Sequence, residues 1–143
     1  MKVYIKTEKI NSHAKLPTRA HQDDTGFDLY AAEQVILNPW ETKLIPIGIK
    51  IKLPATYSAE IRPRSGMSLK TPLKCILGTL DNGYRGEINA ILINLSNTLR
   101  VVNIGDRVAQ LVVRHDTAAD AIEVDSVGED TDRGQAGFGS TGR

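Results

Sequence analysis

The chain has 143 residues, 18 Lys and Arg against 17 Asp and Glu, a formal charge of +1 and a hydrophobic fraction of 41%. That length and composition predict one globular domain and exclude disordered, collagenous and low-complexity classes. Near-neutral charge also removes the broad cationic footprint of a nucleic-acid or membrane binder, so any bound anion must be met by local charge.

A single cysteine, Cys75, permits no intrachain disulfide. Met1-Lys2-Val3-Tyr4-Ile5-Lys6 lacks the apolar core of a signal peptide, and no run of 18 apolar residues is present. The expectation is a soluble, cytoplasmic protein.

In chain order, short apolar runs predict strands over 3–5, 27–29 and 35–37. Ile45, Ile47, Ile49, Ile51 and Leu53 then alternate with Pro46, Gly48, Lys50 and Lys52. This spacing predicts one half-buried strand, because Pro46 would break a helix. A very short helix is expected over 66–70, stopped before Pro72. Further strands are expected over 76–80, 88–95, 99–104, 108–113 and 122–127, separated by turn residues such as Asn38-Pro39, Ser96-Asn97 and Gly105-Asp106. Asp81-Asn82-Gly83-Tyr84 predicts a hairpin with a type I′ turn between the runs on either side. The pattern is all-β, with a core over 1–127.

Residues 128–143 differ in kind, with five glycines, Arg133, Ser140, Thr141 and one large apolar side chain, Phe138. Ordering such a segment costs on the order of 15 to 20 kcal/mol, while burying one Phe returns about 2 to 3 kcal/mol. A flexible arm is expected, settling only when another group supplies contacts; a trailing solvated end is the alternative. Its arginine, hydroxyls and glycine N–H groups suit phosphate oxygens, and its ring suits a base.

Gly137-Phe138-Gly139-Ser140-Thr141-Gly142 matches the dinucleotide fingerprint in letters only, since just Arg143 follows where a helix is required. His13, His21 and His115 are scattered, which gives a zinc site little support. Cys75 reads as a small core residue. Three polar clusters remain. Pro63-Arg64-Ser65-Gly66 is a plausible anion site or an ordinary surface turn. Asp81 and Tyr84 could supply a water-activating carboxylate and a pocket floor, or simply turn chemistry. Gln110, a lone amide in an apolar strand, needs a partner in backbone or ligand.

Five segments taken together resemble the trimeric deoxyuridine triphosphate nucleotidohydrolases, the dUTPases. They are Thr25-Gly26-Phe27-Asp28-Leu29-Tyr30-Ala31-Ala32, Pro63-Arg64-Ser65-Gly66, Gly78-Thr79-Leu80-Asp81-Asn82-Gly83-Tyr84-Arg85-Gly86-Glu87, Gly105-Asp106-Arg107-Val108-Ala109-Gln110-Leu111-Val112, and Arg133-Gly134-Gln135-Ala136-Gly137-Phe138-Gly139-Ser140-Thr141-Gly142. The resemblance implies a jelly-roll-like β-barrel or sandwich and a homotrimer whose three active sites are shared between subunits. It also implies hydrolysis of dUTP to dUMP and pyrophosphate with Mg²⁺ on the triphosphate.

By the same resemblance Asp81 activates water and Asp28 lies near the metal through water. Arg64, Ser65, Gly66, Gln110, Arg133, Ser140 and Thr141 contact phosphates. Gly78, Thr79, Leu80, Tyr84, Phe138 and Gly139 surround base and sugar, with Phe138 stacked on uracil and Tyr84 excluding a ribose 2′-hydroxyl. Ala136 departs from the family's usual glycine, and Cys75 from a frequent asparagine at what is read as a hairpin position. A dCTP deaminase, a bifunctional deaminase of related fold and a non-catalytic dUTP-binding trimer are the alternatives. Tyr84 and the complete tail motif favour a dUTPase over the deaminases, and Asp81 weighs against a non-catalytic role.

Overall fold

Alternation of apolar and polar side chains governs most elements. A computed structural model describes residues 2–140. Within them lie β1 (Lys6–Lys9), β2 (Gly26–Tyr30), β3 (Val35–Leu37), β4 (Thr42–Pro46), β5 (Ile49–Lys52), β6 (Tyr57–Arg62), α1 (Ser65–Lys70), β7 (Leu73–Ile76), β8 (Gly78–Leu80), β9 (Asn89–Asn94), β10 (Arg100–Val102) and β11 (Arg107–His115). The strands form a four-stranded sheet in the order β2-β11-β6-β8, a three-stranded sheet β4-β9-β7, and the pairs β1-β5 and β10-β3. Every ladder is antiparallel. Leu29, Leu37, Ile45, Ile61, Leu92 and Leu111, drawn from six strands, meet in one apolar cluster. The all-β expectation and the short helix hold.

Ile45, Ile47, Ile49, Ile51 and Leu53 are all buried, as their spacing predicts. The run is nevertheless two strands, because β4 pairs with β9 while β5 pairs with β1. Gly48 makes the corner at φ +72°, a left-handed conformation that suits glycine. Ile88 bridges the break, donating to Ile49 O at 2.8 Å and accepting from Ile47 N at 3.1 Å. A side chain at Gly48 would place its Cβ 2.8 to 2.9 Å from Cβ atoms of Ala32, Asn11 and Ala14.

Other expectations are corrected. Ile76 still pairs with Ile91 in the β7–β9 ladder, but the chain then leaves it and β8 joins β6. Asn82 and Gly83 therefore close no two-residue hairpin, and neither has positive φ as a type I′ turn requires. The first strand begins at Lys6 and not at Val3. No strand forms over 122–127, where Ile122 and Val127 are 81% and 91% exposed. Alternation is present in that stretch, but among the described residues no strand pairs with it.

One buried polar group ties the far end together. The Asn94 amide donates to Leu37 O, Asn38 O and Thr98 O at 3.3, 3.0 and 2.8 Å, and its carbonyl accepts from Ser96 Oγ at 2.7 Å. Such full pairing offsets the desolvation cost of an amide in the core. No helix among the described residues is long and apolar enough to cross a membrane.

The corner at residue 48 leads to a direct test. Gly48→Ala combines left-handed strain with overpacking, and is expected to destabilise the fold by about 3 kcal/mol, read from equilibrium denaturation.

Candidate functional site

The outward face of the four-stranded sheet carries the polar residues. In register, Asp28 of β2 lies opposite Gln110 of β11, which lies opposite Arg62 of β6. Just beyond β6, Arg64 swings back, and its Nε donates to Asp28 Oδ1 at 2.7 Å. Arg107 Nη1 stands 3.7 Å from the second oxygen, Asp28 Oδ2. The Gln110 amide donates to Pro63 O at 2.8 Å, which supplies the backbone partner that a lone amide needs and pins the segment leading to Arg64. Glycine at 26 makes room for it, since a Cβ there would collide with the Gln110 carboxamide, whose Cδ is 2.9 Å away.

These groups surround an open depression of about 290 Å³ lined by Thr25, Gly26, Asp28, Arg64, Ser65, Gly66, Arg107 and Gln110, with Ala20 and Asp24 at its rim. Three sequence segments far apart in the chain thus converge on one pocket. Ser65 is exposed at the start of α1, and no atom lies within 4 Å of where a Gly66 Cβ would stand. The first amides of a helix have no acceptor within it, so this side of the pocket presents N–H donors. Arg107 was assigned no role from the sequence; its signal was its place three residues before Gln110 in the same segment.

Asp81 is not in this pocket. Leu80 pairs with Ala59, so Asp81 leaves β8 level with the start of β6, whereas Arg64 follows its end. Arg64 returns to Asp28, level with Arg62, and the four residues of strand from Ser58 to Arg62 span about 13 Å at the usual strand rise. The turn that bears Asp81 is closely held. Tyr84 N donates to Asp81 O at 3.0 Å, Tyr84 Oη donates to Glu87 O at 3.0 Å, and Arg85 Nη1 donates to Asn82 O and Tyr84 O. Gly86 lets the Tyr84 ring cross the backbone, because a Cβ would sit 2.5 Å from its Cζ. Asp81, Thr79 and Tyr84 are exposed, with Gly78 and Leu80 half-buried on β8, which is an edge strand.

The arm folds only on itself within its described part. Arg133 Nε donates to Ala136 O at 2.8 Å, and Gly137 N donates to Ser140 Oγ at 2.7 Å. Phe138 is fully exposed at φ +50°, beside Gly139 at φ +84°. Thr141 lies outside the described residues. Cys75 is buried in β7 opposite Leu92, and burial pushes its thiol up to about 11. It belongs to the buried apolar cluster.

The fold and pocket define an all-β protein with a depression lined by Arg64, Arg107 and Asp28 and a separate carboxylate-bearing turn. A family model described as dUTPase matches residues 12–142. The deoxyuridine 5′-triphosphate nucleotidohydrolase of Clostridium novyi (strain NT) is 47% identical over 137 residues, covering 94% of this chain and 96% of that protein. Among solved structures, a mutant of the Staphylococcus bacteriophage 80alpha dUTPase with dUpNHpp superposes with TM-score 0.92 at 25% identity, over 98% of this chain and 99% of that one. A mutant dUTPase from phage phi11 of S. aureus, described with a structural Mg(II) ion, gives TM-score 0.82 at 25% identity, over 86% and 97%. The chain belongs to the dUTPase family of hydrolases, and its all-β architecture is that family's jelly roll.

The packing of Gly26 beneath Gln110 is testable. Gly26→Ala should displace the Gln110 carboxamide and break its bond to Pro63 at a cost of about 1 to 2 kcal/mol, read from denaturation and from the Gln110 side-chain amide resonance.

Proposed function

We propose that this protein hydrolyses dUTP to dUMP and pyrophosphate, removing dUTP from the nucleotide pool and supplying dUMP as a precursor of dTTP. The observation that carries this reading is the convergence of Asp28, Arg64, Ser65, Gly66 and Gln110 on one pocket. Arg64 is pre-positioned through its Nε, which leaves its terminal nitrogens to fork around phosphate oxygens. Ser65, Gly66 and Gln110 complete the phosphate contacts. Asp81, on its rigid turn, accepts a proton from the water that attacks the α-phosphorus, and pyrophosphate leaves.

Base choice belongs to the edge of β8. Backbone groups of Gly78, Thr79 and Leu80 on a free strand edge can pair with uracil, and cytosine, with donor and acceptor exchanged, would leave them unpaired. Tyr84 floors the sugar site. Phe138 and Gly139 close over the base while Arg133, Ser140 and Thr141 reach the terminal phosphate, so bound nucleotide supplies the contacts that the arm lacks by itself.

Mg²⁺ fits this donor set as a passenger of the substrate. Among the described residues no three His, Cys, Asp or Glu side chains form a metal-binding group. Mg²⁺ commonly keeps several waters and takes its remaining ligands from phosphates and one or two carboxylates. Asp28 is the carboxylate that would hold its waters, and the ion when bound neutralises triphosphate charge.

The separation of Asp81 from Arg64 supports a shared site. A general base must come within hydrogen-bond reach of its water, yet about 13 Å of β6 lies between the levels of the two groups in one chain. Asp81 of one copy and the phosphate pocket of another can serve the same triphosphate, as the homotrimer implies.

Incubation with each deoxynucleoside triphosphate and Mg²⁺, with products identified by mass, tests the activity. Only dUTP should yield a monophosphate and pyrophosphate, whereas ammonia from dCTP would establish a deaminase. Asp81→Asn is expected to keep dUTP affinity while turnover falls at least about 100-fold; an unchanged rate would remove Asp81 from this role. Truncation before residue 128 should preserve assembly, measured by light scattering, and nearly abolish hydrolysis.

A further inference from the structure

Resting on the reading of Asp81 as the general base, we infer that Asn82 is the positioning residue that fixes this carboxylate. The side chain does not point outward as a turn residue's would. Its Nδ2 donates to both Pro54 O, in the β5–β6 connection, and Tyr57 O, at the first residue of β6, each at 2.7 Å. The Asn82 backbone carbonyl is held from the other side by Arg85 Nη1 at 2.6 Å. The residue directly after Asp81 is therefore gripped at both ends. No ladder performs this task, because β8 ends at Leu80 and the chain does not re-enter a strand until Asn89.

The anchor is itself unusual. Between Pro54 and Tyr57, Thr56 holds φ +66°, a conformation that β-branched residues avoid. Three contacts keep it there. Its carbonyl accepts from Asp116 N at 2.8 Å, its hydroxyl lies 3.3 Å from His115 Nε2, and the neighbouring Tyr57 ring meets the His115 ring edge-on at 5.0 Å. Strain of this kind persists only where surrounding structure over-determines it, and it concentrates at functional sites. Here it presents the carbonyls of Pro54 and Tyr57 together to one amide group.

Only an amide at this position offers two donors to two carbonyls in so short a side chain. Asn82→Asp keeps the shape but turns acceptors towards acceptors, and Asn82→Ala removes the tether.

The experiment compares Asn82→Ala, Asn82→Asp and Asp81→Asn with the unaltered protein, well below each melting midpoint. It measures kcat and KM for dUTP and affinity for a non-hydrolysable deoxyuridine triphosphate analogue. Both Asn82 variants should lose about 100-fold in kcat, the scale of a displaced reacting group, while KM and analogue affinity stay within about threefold. Amide exchange at Gly83 and Tyr84 should rise in the same variants. If Asn82→Ala keeps its kcat while Asp81→Asn is inactive, the inference fails and the general base stands. Full activity in Asp81→Asn removes both. Parallel losses of kcat, affinity and thermal stability would make Asn82 a structural residue only, and would also overturn the inference.

Discussion

The contact between Asp28 and Arg64 is the constraint on which the pocket depends. Neither side chain is free in solvent, their exposures being 18% and 21%, and their 2.7 Å separation makes a charge-assisted hydrogen bond. It joins the middle of β2 to a segment beyond the end of β6, with β11 in between. Removing the carboxylate would take from both Arg64 and Arg107 their shared ion-pair partner. Gln110 performs the neutral part of the same work by holding Pro63 O. The pocket is thus assembled by contacts within the chain.

Much of this was legible in the sequence because strand periodicity and site chemistry are both local. The strands around Phe27, Val35 and Val108 and the helix after Arg64 follow from spacing and residue type, whereas the grouping of Asp28 with Arg64 and Gln110 is implied only by the family resemblance. Partner choice is not local. Ile45 to Leu53 has the parity of one strand, and parity carries no information about which neighbour pairs with which half. Gly48, the single glycine inside that alternation, was the available signal for a corner.

The turn after Asp81 was misread for a related reason. Asn-Gly is a strong hairpin signal only while nothing distant competes for the asparagine side chain. Here two carbonyls some 25 residues earlier take it, and the chain turns without left-handed φ. The stretch over 122–127 shows the converse, where alternation exists without a partner strand among the described residues. Periodicity reports which face of a strand would be apolar, but it cannot supply the neighbour that makes the strand.

Strand β6 has a consequence beyond its own sheet. With the Arg64 pocket past one end and the Asp81 turn beside the other, the proposed function gives each polypeptide two half-sites. On the shared-site reading, a lesion in either half inactivates junctions and not whole chains. Two alleles, one lacking the carboxylate and one lacking the arginine, would then restore a share of wild-type junctions when co-expressed, which is intragenic complementation from two individually dead genes.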